Sequence, residues 1–276
     1  MTIEGGEQVG NEMLSVGKEV GNKWGSDSQV TIEGGEQAGI DVAVGIEEDA
    51  CRDLNAGYVK STLSGIPQVW LKAATSLDGR IADYRGSSKW ITGEAARARG
   101  RSYRGRLDAI LIGSQTLLSD DPALTTRLEG GRDPTPVILD TRLRCPAEAR
   151  IFSSTVRPLI YCAEDAPERE LPGEIIRVPR SVGGVDLDSV LRDLVARGVH
   201  NLLVEGGARI HRSFLDARHV DRLLLFLSPR ILAGGPGFVA GDPIPLADAE
   251  SWMFLKSEAV GDDLLLVLVP PSKESD

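Results

Sequence analysis

From residue 67 onward, short runs of apolar residues alternate with segments of helical periodicity, and this alternation restricts the fold more than any other feature. Strands that are buried on both faces form continuous apolar runs, whereas the helices that cover them keep one polar face. The predicted strands are residues 68–74, 109–112, 136–139, 158–161, 200–204, 223–227 and 264–269. The pattern predicts an α/β fold with a mostly parallel central sheet. No long helical segment separates the last two strands, so we expect an antiparallel part at the C-terminal end.

Segments with helical periodicity lie between these strands. A helix at 93–106 follows Thr92, which is suited to capping it. Another begins at Asp186 or Asp188, places its apolar residues on one face and ends near Gly198. Two further helices are predicted at 47–60 and 208–217.

The N-terminal part of the chain has a different texture. Residues 1–37 are rich in Gly, Glu, Asn and Ser, and the heptapeptide TIEGGEQ occurs there twice. Because this segment has few large apolar residues to offset the entropy of ordering, we predict a low-complexity or weakly ordered segment. A short strand is predicted at 41–46, and the turn at 64–67 is a boundary. The α/β domain then covers 67–270, and residues 271–276 form a polar tail.

Charge and hydropathy exclude several classes of function. The 276 residues carry 31 basic and 41 acidic side chains, a net charge of −10, which disfavours nucleic-acid binding through a dominant basic face. No run reaches about 18 apolar residues, so no membrane span is predicted. The N-terminus has neither the basic start nor the apolar core of a signal peptide, and we expect a cytoplasmic protein.

The cysteines and histidines do not form a recognisable metal or disulfide pattern. The three cysteines are far apart, with no C-x-x-C pair and no H-x-E string, so neither a disulfide framework nor a zinc site is predicted. We interpret all three histidines as surface or packing residues; they are His200, His211 and His219.

Two basic features stand out. Lys72 lies inside an apolar strand, where it either belongs to an edge strand with its ammonium in water or is a cation placed at a ligand. Arg97, Arg101 and Arg104 share one face of the predicted helix. That face either binds an anion such as a phosphate or is solvated and paired with surface carboxylates.

Two glycine turns follow predicted strands. Gly113 begins the string GSQTLLSDDPALTTR, in which Pro122 is expected to push Asp121 toward extended geometry. Glu205-Gly206-Gly207 lies at a strand-to-helix junction, where the free amides and positive dipole end of a helix favour a phosphate.

Residues 67–269 resemble the reductase domain of riboflavin biosynthesis, the C-terminal half of a bifunctional pyrimidine deaminase and reductase. The strings that carry the resemblance are LKAATSLDGR at 71–80, SKWIT at 88–92, TLLSDDPALTTR at 116–127 and VEGG at 204–207. The resemblance implies a dihydrofolate-reductase-like three-layer fold and a homodimer. It further implies NADPH-dependent reduction of the ribose of 5-amino-6-(5-phosphoribosylamino)uracil to its ribityl form.

The resemblance also implies the site residues. Cofactor contacts are expected from Ala74, Trp90, Thr116, Asp120, Thr141, Gly206, Gly207, Ala208, Arg209 and Ile210. Substrate contacts are expected from Ser88, Arg104, Leu124, Arg127 and Glu205. The groups expected nearest the reacting ribose are Lys72, Asp120 and Glu205.

The sequence also departs from the full-length family pattern. Residues 38–66 look like the last strand and helix of a deaminase domain, but Thr31-Ile32-Glu33 is followed by glycines where a Pro-Cys pair is expected. We therefore expect deaminase activity to be absent. Ala208-Arg209 also replaces a more usual hydroxyl-bearing pair at the helix start, supplying an arginine instead.

The mechanism that follows from the resemblance is hydride transfer to C1′ of the opened sugar. Arg104 and Arg127 are predicted to bind the 5′-phosphate, while Lys72 and Glu205 orient the ribose hydroxyls and handle the proton. Two arginines after the third strand could meet a 2′-phosphate and favour NADPH over NADH; they are Arg142 and Arg144. The alternatives are a same-fold reductase of a pterin or another pyrimidine, and a non-catalytic binding module derived from the enzyme.

Overall fold

The computed structural model describes residues 47–127 and 130–271. The chain divides between Ser64 and Gly65 into two parts, each described here by itself. The first contains helix α1 (Glu48–Ser64), which confirms the helix predicted at 47–60 and extends it by one turn. The low-complexity segment, the predicted strand at 41–46 and the expected loss of the deaminase motif lie outside the described residues.

The second part is built around a nine-stranded sheet in the described residues. Its strands are β1 (Gln68–Thr75), β2 (Ala109–Gly113), β3 (Thr135–Leu139), β4 (Leu159–Ala163), β5 (Glu174–Val178), β8 (Asn201–Val204), β9 (Arg222–Leu227), β10 (Met253–Val260) and β11 (Asp263–Val269). A separate ribbon pairs β6 (Arg180–Ser181) with β7 (Gly184–Val185). The strand order is β10-β11-β9-β1-β8-β2-β3-β4-β5.

Strand direction divides this sheet into two regions. Neighbouring strands are parallel from β9 to β5, whereas β11 pairs antiparallel with both β9 and β10. The predicted mostly parallel sheet with an antiparallel C-terminal part is therefore confirmed.

Four helices of the second part accompany the sheet in the described residues. They are α2 (Glu94–Arg104), α3 (Ser114–Asp120), α4 (Leu187–Ala196) and α5 (Ala208–Asp216), with short 3-10 helices at Arg150–Ser153 and Leu246–Asp248. Two apolar clusters on opposite faces of the sheet attach them. Along β2, Ala109 and Leu111 pack in the cluster that includes α4 and α5, while Ile110 and Ile112 pack in the cluster that includes α2 and α3. This alternation produces the expected three layers.

The residues at the starts of α2 and α4 differ in how far they match the predicted helix caps. The predicted cap of α2 is wrong: Gly93, not Thr92, precedes the helix, and the carboxylate of Asp263 accepts a hydrogen bond from the Gly93 amide at 2.7 Å. The amide of this preceding residue is thus satisfied by a side chain 170 positions away, and α2 has no side-chain cap. For α4, Asp186 is the cap, because its carboxylate accepts from the Ser189 amide at 2.9 Å.

Two strands of the nine-stranded sheet have no counterpart in the sequence prediction, and both lie at its edges. β10 reads MFLKSEAV and is largely exposed along its length, so its residues do not alternate as those of a half-buried strand do. β5 is only partly buried over most of its length. Neither strand carries the apolar pattern on which the prediction relies.

The parallel region positions the functional site. β1, β8 and β2 are adjacent and parallel, so their carboxyl ends meet at one edge of the sheet. Ligands of open α/β sheets bind outside such carboxyl ends. No helix within the described ranges 47–127 and 130–271 has the length and hydropathy needed to cross a membrane.

Candidate active site

A cavity of about 1000 Å³ opens at the carboxyl ends of β1, β2 and β8. Its wall includes the end of β1, the turn from β2 into α3 and the turn from β8 into α5. The volume is at the upper end of the range of about 300–1,000 Å³ for small-molecule and cofactor pockets. The space is large enough for two small ligands side by side.

Lys72 reaches the cavity from the middle of the sheet. Its strand, β1, lies between β8 and β9, so the edge-strand interpretation is wrong. The side chain is half-buried, and its Nζ lies 5.8 Å from the ring centroid of Phe226. Among the described residues no ion pair of Lys72 occurs, and the ammonium lines the cavity. The alternative of a cation placed at a ligand is the one this position favours.

Arg104 and Glu205 form a bidentate ion pair across the cavity wall. The Arg104 Nε donates to Glu205 Oε1 at 3.0 Å and its Nη2 to Oε2 at 2.8 Å, while Nη1 donates to the carbonyl of Thr125 at 3.1 Å. The two side chains are only 18 % and 13 % exposed. A fork of this kind fixes the position of both partners.

The surroundings of Glu205 determine its protonation state. Burial opposes the charged form, but the charges of Arg104 and Lys72, with the hydrogen bonds from Arg104, outweigh it and hold the pKa of Glu205 at about 2. Glu205 is therefore a carboxylate throughout the physiological range. It can accept hydrogen bonds from a ligand but cannot donate a proton.

The other two arginines on the predicted basic face of α2 are already neutralised. Arg101 pairs with Glu94 at 2.7 Å, and Arg97 pairs with the same carboxylate. The guanidinium of Arg97 also lies over the ring of Trp90, 4.4 Å from its centroid. For Arg97 and Arg101 the interpretation as a face paired with carboxylates is therefore confirmed.

The segment after α3 forms another wall. Asp120, Leu124 and Arg127 all line the cavity, and the last two have positive φ angles of 55° and 54°. Asp121 is not extended as predicted but left-handed, with φ 42°, because it ends α3 and its amide bonds to the carbonyl of Leu117. Its carboxylate accepts from the amide of Arg150 at 2.8 Å, which compensates for the conformation.

The start of α5 is open toward the cavity. Gly207 precedes the helix and has no side chain to cap it, and the amides of a first helical turn have no intrahelical acceptor. A Cβ on Gly206 would lie 2.7 Å from the Cβ of Ile210, so only glycine permits this packing. A Cβ on Gly207 would meet only the Thr116 Oγ1, at 3.7 Å. The opening can therefore admit a phosphate.

Nearly every site residue predicted from the sequence lines this one cavity. The lining includes Lys72, Ala74, Ser88, Trp90, Arg104, Thr116, Asp120, Leu124, Arg127, Glu205, Gly206, Gly207, Ala208, Arg209 and Ile210. Thr141 is not brought to it: its side chain lies beside Gly184 of the ribbon. Arg142 and Arg144 do not line it either, and Arg144 instead donates to the Ser114 hydroxyl at 2.7 Å.

The lining residues that the sequence analysis did not single out individually as site residues include Arg150 and His211. Arg150 enters the wall beside Asp121, at the start of a 3-10 helix that no local pattern predicts. His211 lies on α5 and is 1 % exposed. The signal for His211 was its position four residues after Gly207, one turn into a helix that starts at the site. No group of three or more His, Cys, Asp or Glu side chains able to hold a metal occurs in the described part of the chain.

The fold and the cavity define a class: an α/β protein with a small-molecule cavity at the carboxyl edge of its parallel strands. Within that class, residues 67–266 match the family model of the RibD C-terminal domain. The chain belongs to this family.

Individual relatives are consistent with the family assignment. The chain is 34 % identical over 244 residues to riboflavin biosynthesis protein RibD of Bacillus amyloliquefaciens, covering 85 % of this chain and 66 % of that protein. It thus spans about two thirds of that relative's length.

Solved structures agree on the fold. A Thermotoga maritima protein described as a diaminohydroxyphosphoribosylaminopyrimidine deaminase/5-amino-6-(5-phosphoribosylamino)uracil reductase superposes with a TM-score of 0.79 at 32 % identity, covering 87 % of this chain and 66 % of that one. The Saccharomyces cerevisiae riboflavin biosynthesis reductase Rib7 has a TM-score of 0.60 at 20 % identity, covering 80 % and 99 %. These neighbours agree with the expected dihydrofolate-reductase-like fold.

Proposed function

We propose that this chain is the NADPH-dependent reductase of 5-amino-6-(5-phosphoribosylamino)uracil and converts its ribosyl group to the ribityl form. One observation carries the proposal: Lys72, Arg104, Asp120 and Glu205 share a single cavity with the open start of α5. The description of the Thermotoga maritima neighbour as a deaminase/reductase supports the substrate class.

The residues around α5 fit a dinucleotide. The uncapped first turn and the space beside Gly207 suit a phosphate, and Arg209 adds an exposed cation at the second helical residue. Thr116 and Trp90 complete this side of the cavity. When bound, NADPH supplies one hydride for C1′ of the opened, imine form of the sugar. In this proposal Arg209 recognises the cofactor phosphate, which was expected of Arg142 and Arg144 after β3.

In this proposal Lys72 donates the proton that the reaction consumes. Reduction of the imine adds a hydride to carbon and a proton to nitrogen. Glu205 remains a carboxylate and cannot supply that proton, whereas the ammonium of Lys72 carries three and lines the same end of the cavity. Glu205 therefore accepts hydrogen bonds from the sugar hydroxyls and holds Arg104 in place, and Lys72 Nζ donates.

The 5′-phosphate of the substrate has two suitable partners. Arg127 and Arg150 both line the cavity, and neither makes an ion pair with another described residue. The fork of Arg104 is engaged by Glu205 and Thr125, so Arg104 supports the site through that carboxylate and offers the phosphate fewer free N–H groups. A pterin has no phosphate for Arg127 and Arg150 to bind, which favours the phosphoribosyl compound.

The test is turnover by the purified chain. NADPH and the deaminated phosphoribosylaminopyrimidine are mixed with the protein, and the nicotinamide absorbance is followed. Absorbance is expected to fall in proportion to ribityl product, with NADH much less effective. If no NADPH is consumed although the compound binds, the chain is a binding module, and if a pterin is reduced instead, the substrate assignment is wrong.

We also propose a homodimer. The edge strand β10 exposes three consecutive apolar side chains, Met253, Phe254 and Leu255, at 49–68 %. Monomeric proteins rarely leave such a stretch uncovered on an unpaired sheet edge. Sedimentation equilibrium of the wild type and of Phe254→Lys is expected to give a dimer and a monomer respectively.

A further inference from the structure

Trp90 is an exposed aromatic side chain in the wall of the cavity. It belongs to the segment 81–93, which has neither helix nor strand, and it is 60 % exposed. An indole this exposed has little core packing to fix its orientation. It forms a defined wall only if particular neighbours hold it.

Two arginines hold Trp90, one at its ring and one at its backbone. The Cζ of Arg97 lies 4.4 Å from the centroid of the indole, well inside the limit of about 6 Å for a cation–π contact. Arg230 donates from Nη1 to the Trp90 carbonyl at 3.0 Å. Because Arg97 covers one face of the indole, the other face and the edges provide the surface that a bound ligand can contact.

Arg97 is itself fixed by hydrogen bonds in the plane of its guanidinium. Nη1 donates to the carbonyl of Thr92 at 2.6 Å and Nη2 donates to the carboxylate of Glu94, and the side chain is only 23 % exposed. A guanidinium carries its N–H donors in its plane, so it can present its face to an aromatic ring at the same time. A lysine at this position could keep the ion pair with Glu94 but has no planar face for the indole.

Arg101 shows that the ion pair alone does not distinguish Arg97. Arg101 pairs with the same Glu94 carboxylate at 2.7 Å and is 25 % exposed, much as Arg97 is. Among the described residues, however, the cavity lining includes Arg97 and not Arg101. What distinguishes Arg97 is therefore its contact with Trp90.

We propose that Arg97 is a positioning residue, which holds the indole of Trp90 as a fixed wall against which a planar heteroaromatic ring of a bound ligand packs. This inference rests on the proposed function and adds a residue to it. Aromatic rings prefer offset or edge-to-face arrangements, so the orientation of the indole affects binding. The proposed reaction brings two such rings to the cavity, the nicotinamide of NADPH and the pyrimidine of the substrate.

A double-mutant cycle tests whether Arg97 acts through Trp90. The Kd of NADPH is measured by titration calorimetry and the KM of the pyrimidine by steady-state kinetics, for the wild type, Arg97→Lys, Trp90→Leu and the double variant. Arg97→Lys is expected to raise at least one of these constants by about three- to fivefold, with kcat changed by less than about twofold. In the Trp90→Leu background the same substitution is expected to change neither constant, because the aromatic face is gone.

Arg101→Lys is the matched control for the cycle. It makes the same replacement beside the same carboxylate, and both constants are expected to stay within about 1.5-fold of the wild type. A rise in the Kd of NADPH identifies the nicotinamide as the ring that packs on the indole. A rise in the KM alone identifies the pyrimidine.

The role of Arg97 is overturned if Arg97→Lys changes the constants by the same factor in both backgrounds, which is what a purely structural arginine predicts. It is also overturned if Arg97→Lys changes neither constant, or if Arg101→Lys changes them as much. A wild type that binds NADPH but does not reduce the pyrimidine overturns the proposed function, while the Kd of NADPH still decides the role of Arg97. A wild type that binds neither compound overturns both.

Discussion

Helices α2 and α5 face the same cavity and prepare it in opposite ways. α2 brings four arginines, and each is paired within the protein: two with Glu94, one with Glu205 and one with Glu258. α5 brings an uncapped first turn, whose amides have no acceptor within the helix. The contrast separates two kinds of site group: those that the fold satisfies to hold a geometry, and those left unsatisfied for a ligand.

The largest loss of activity is expected from substitution of Glu205. Glu205→Gln removes the charge that holds Arg104, leaves that guanidinium largely buried without its partner and takes a charged acceptor from the sugar. We expect kcat/KM to fall by about 100-fold or more, because truncating a buried, hydrogen-bonded charge pair costs about 2–5 kcal/mol. Steady-state kinetics measures this. Arg104→Lys is the matched variant, and retained turnover in Glu205→Gln would remove the carboxylate from the mechanism.

The same pair predicts a difference in acid stability. The folded pKa of Glu205 is about 2, below the ordinary 4.5, so its contribution is fully present above pH 4.5 and is lost as pH falls toward 2. The shift corresponds to about 3 kcal/mol. Urea unfolding from pH 7 to pH 2 is expected to bring the wild-type curve down toward that of Glu205→Gln. Parallel curves over this range would show that the ion pair contributes nothing to acid sensitivity.

Replacing a glycine by alanine is expected to change the free energy of unfolding in opposite directions at the two helices. Gly206→Ala forces a Cβ to within 2.7 Å of the Ile210 Cβ, and we expect the free energy of unfolding to fall by about 1–3 kcal/mol with weaker NADPH binding. Gly100→Ala, inside α2, meets only the Lys72 Cε at 3.7 Å, and we expect stabilisation by about 0.5–1 kcal/mol. Denaturant titrations of the two variants test this. If both variants changed stability in the same direction, the result would contradict the close packing of Gly206 against Ile210.

The smallest effect is expected at the exposed end of α2. Glu94→Gln removes the carboxylate that pairs with Arg97 and Arg101, but this carboxylate is two-thirds exposed. We expect kcat/KM to change by no more than about twofold, because solvent replaces an exposed partner. A loss comparable to that of Glu205→Gln would mean that the whole basic face, and not Arg104 alone, supports the site.

The elements that the sequence predicted well have a local signal. The apolar runs of β1, β2, β8 and β9 and the glycine turn at Gly206 are readable because burial on both faces and an open helix start each need particular residues nearby. β10 escaped prediction, because an exposed edge strand has no apolar face to display. Asp121 was mispredicted, because its helix-ending hydrogen bond outweighs the preference imposed by the following proline.

The sequence alone determined the alternation of strands and helices, and with it a sheet covered on both faces, since these follow from hydrophobic periodicity over a few residues. Only the tertiary structure decided the charge state of the site. Arg104 and Glu205 are 101 residues apart, and their pairing depends on strand order, not on spacing. The same holds for His211, whose ring orientation is set by a carbonyl 27 residues away.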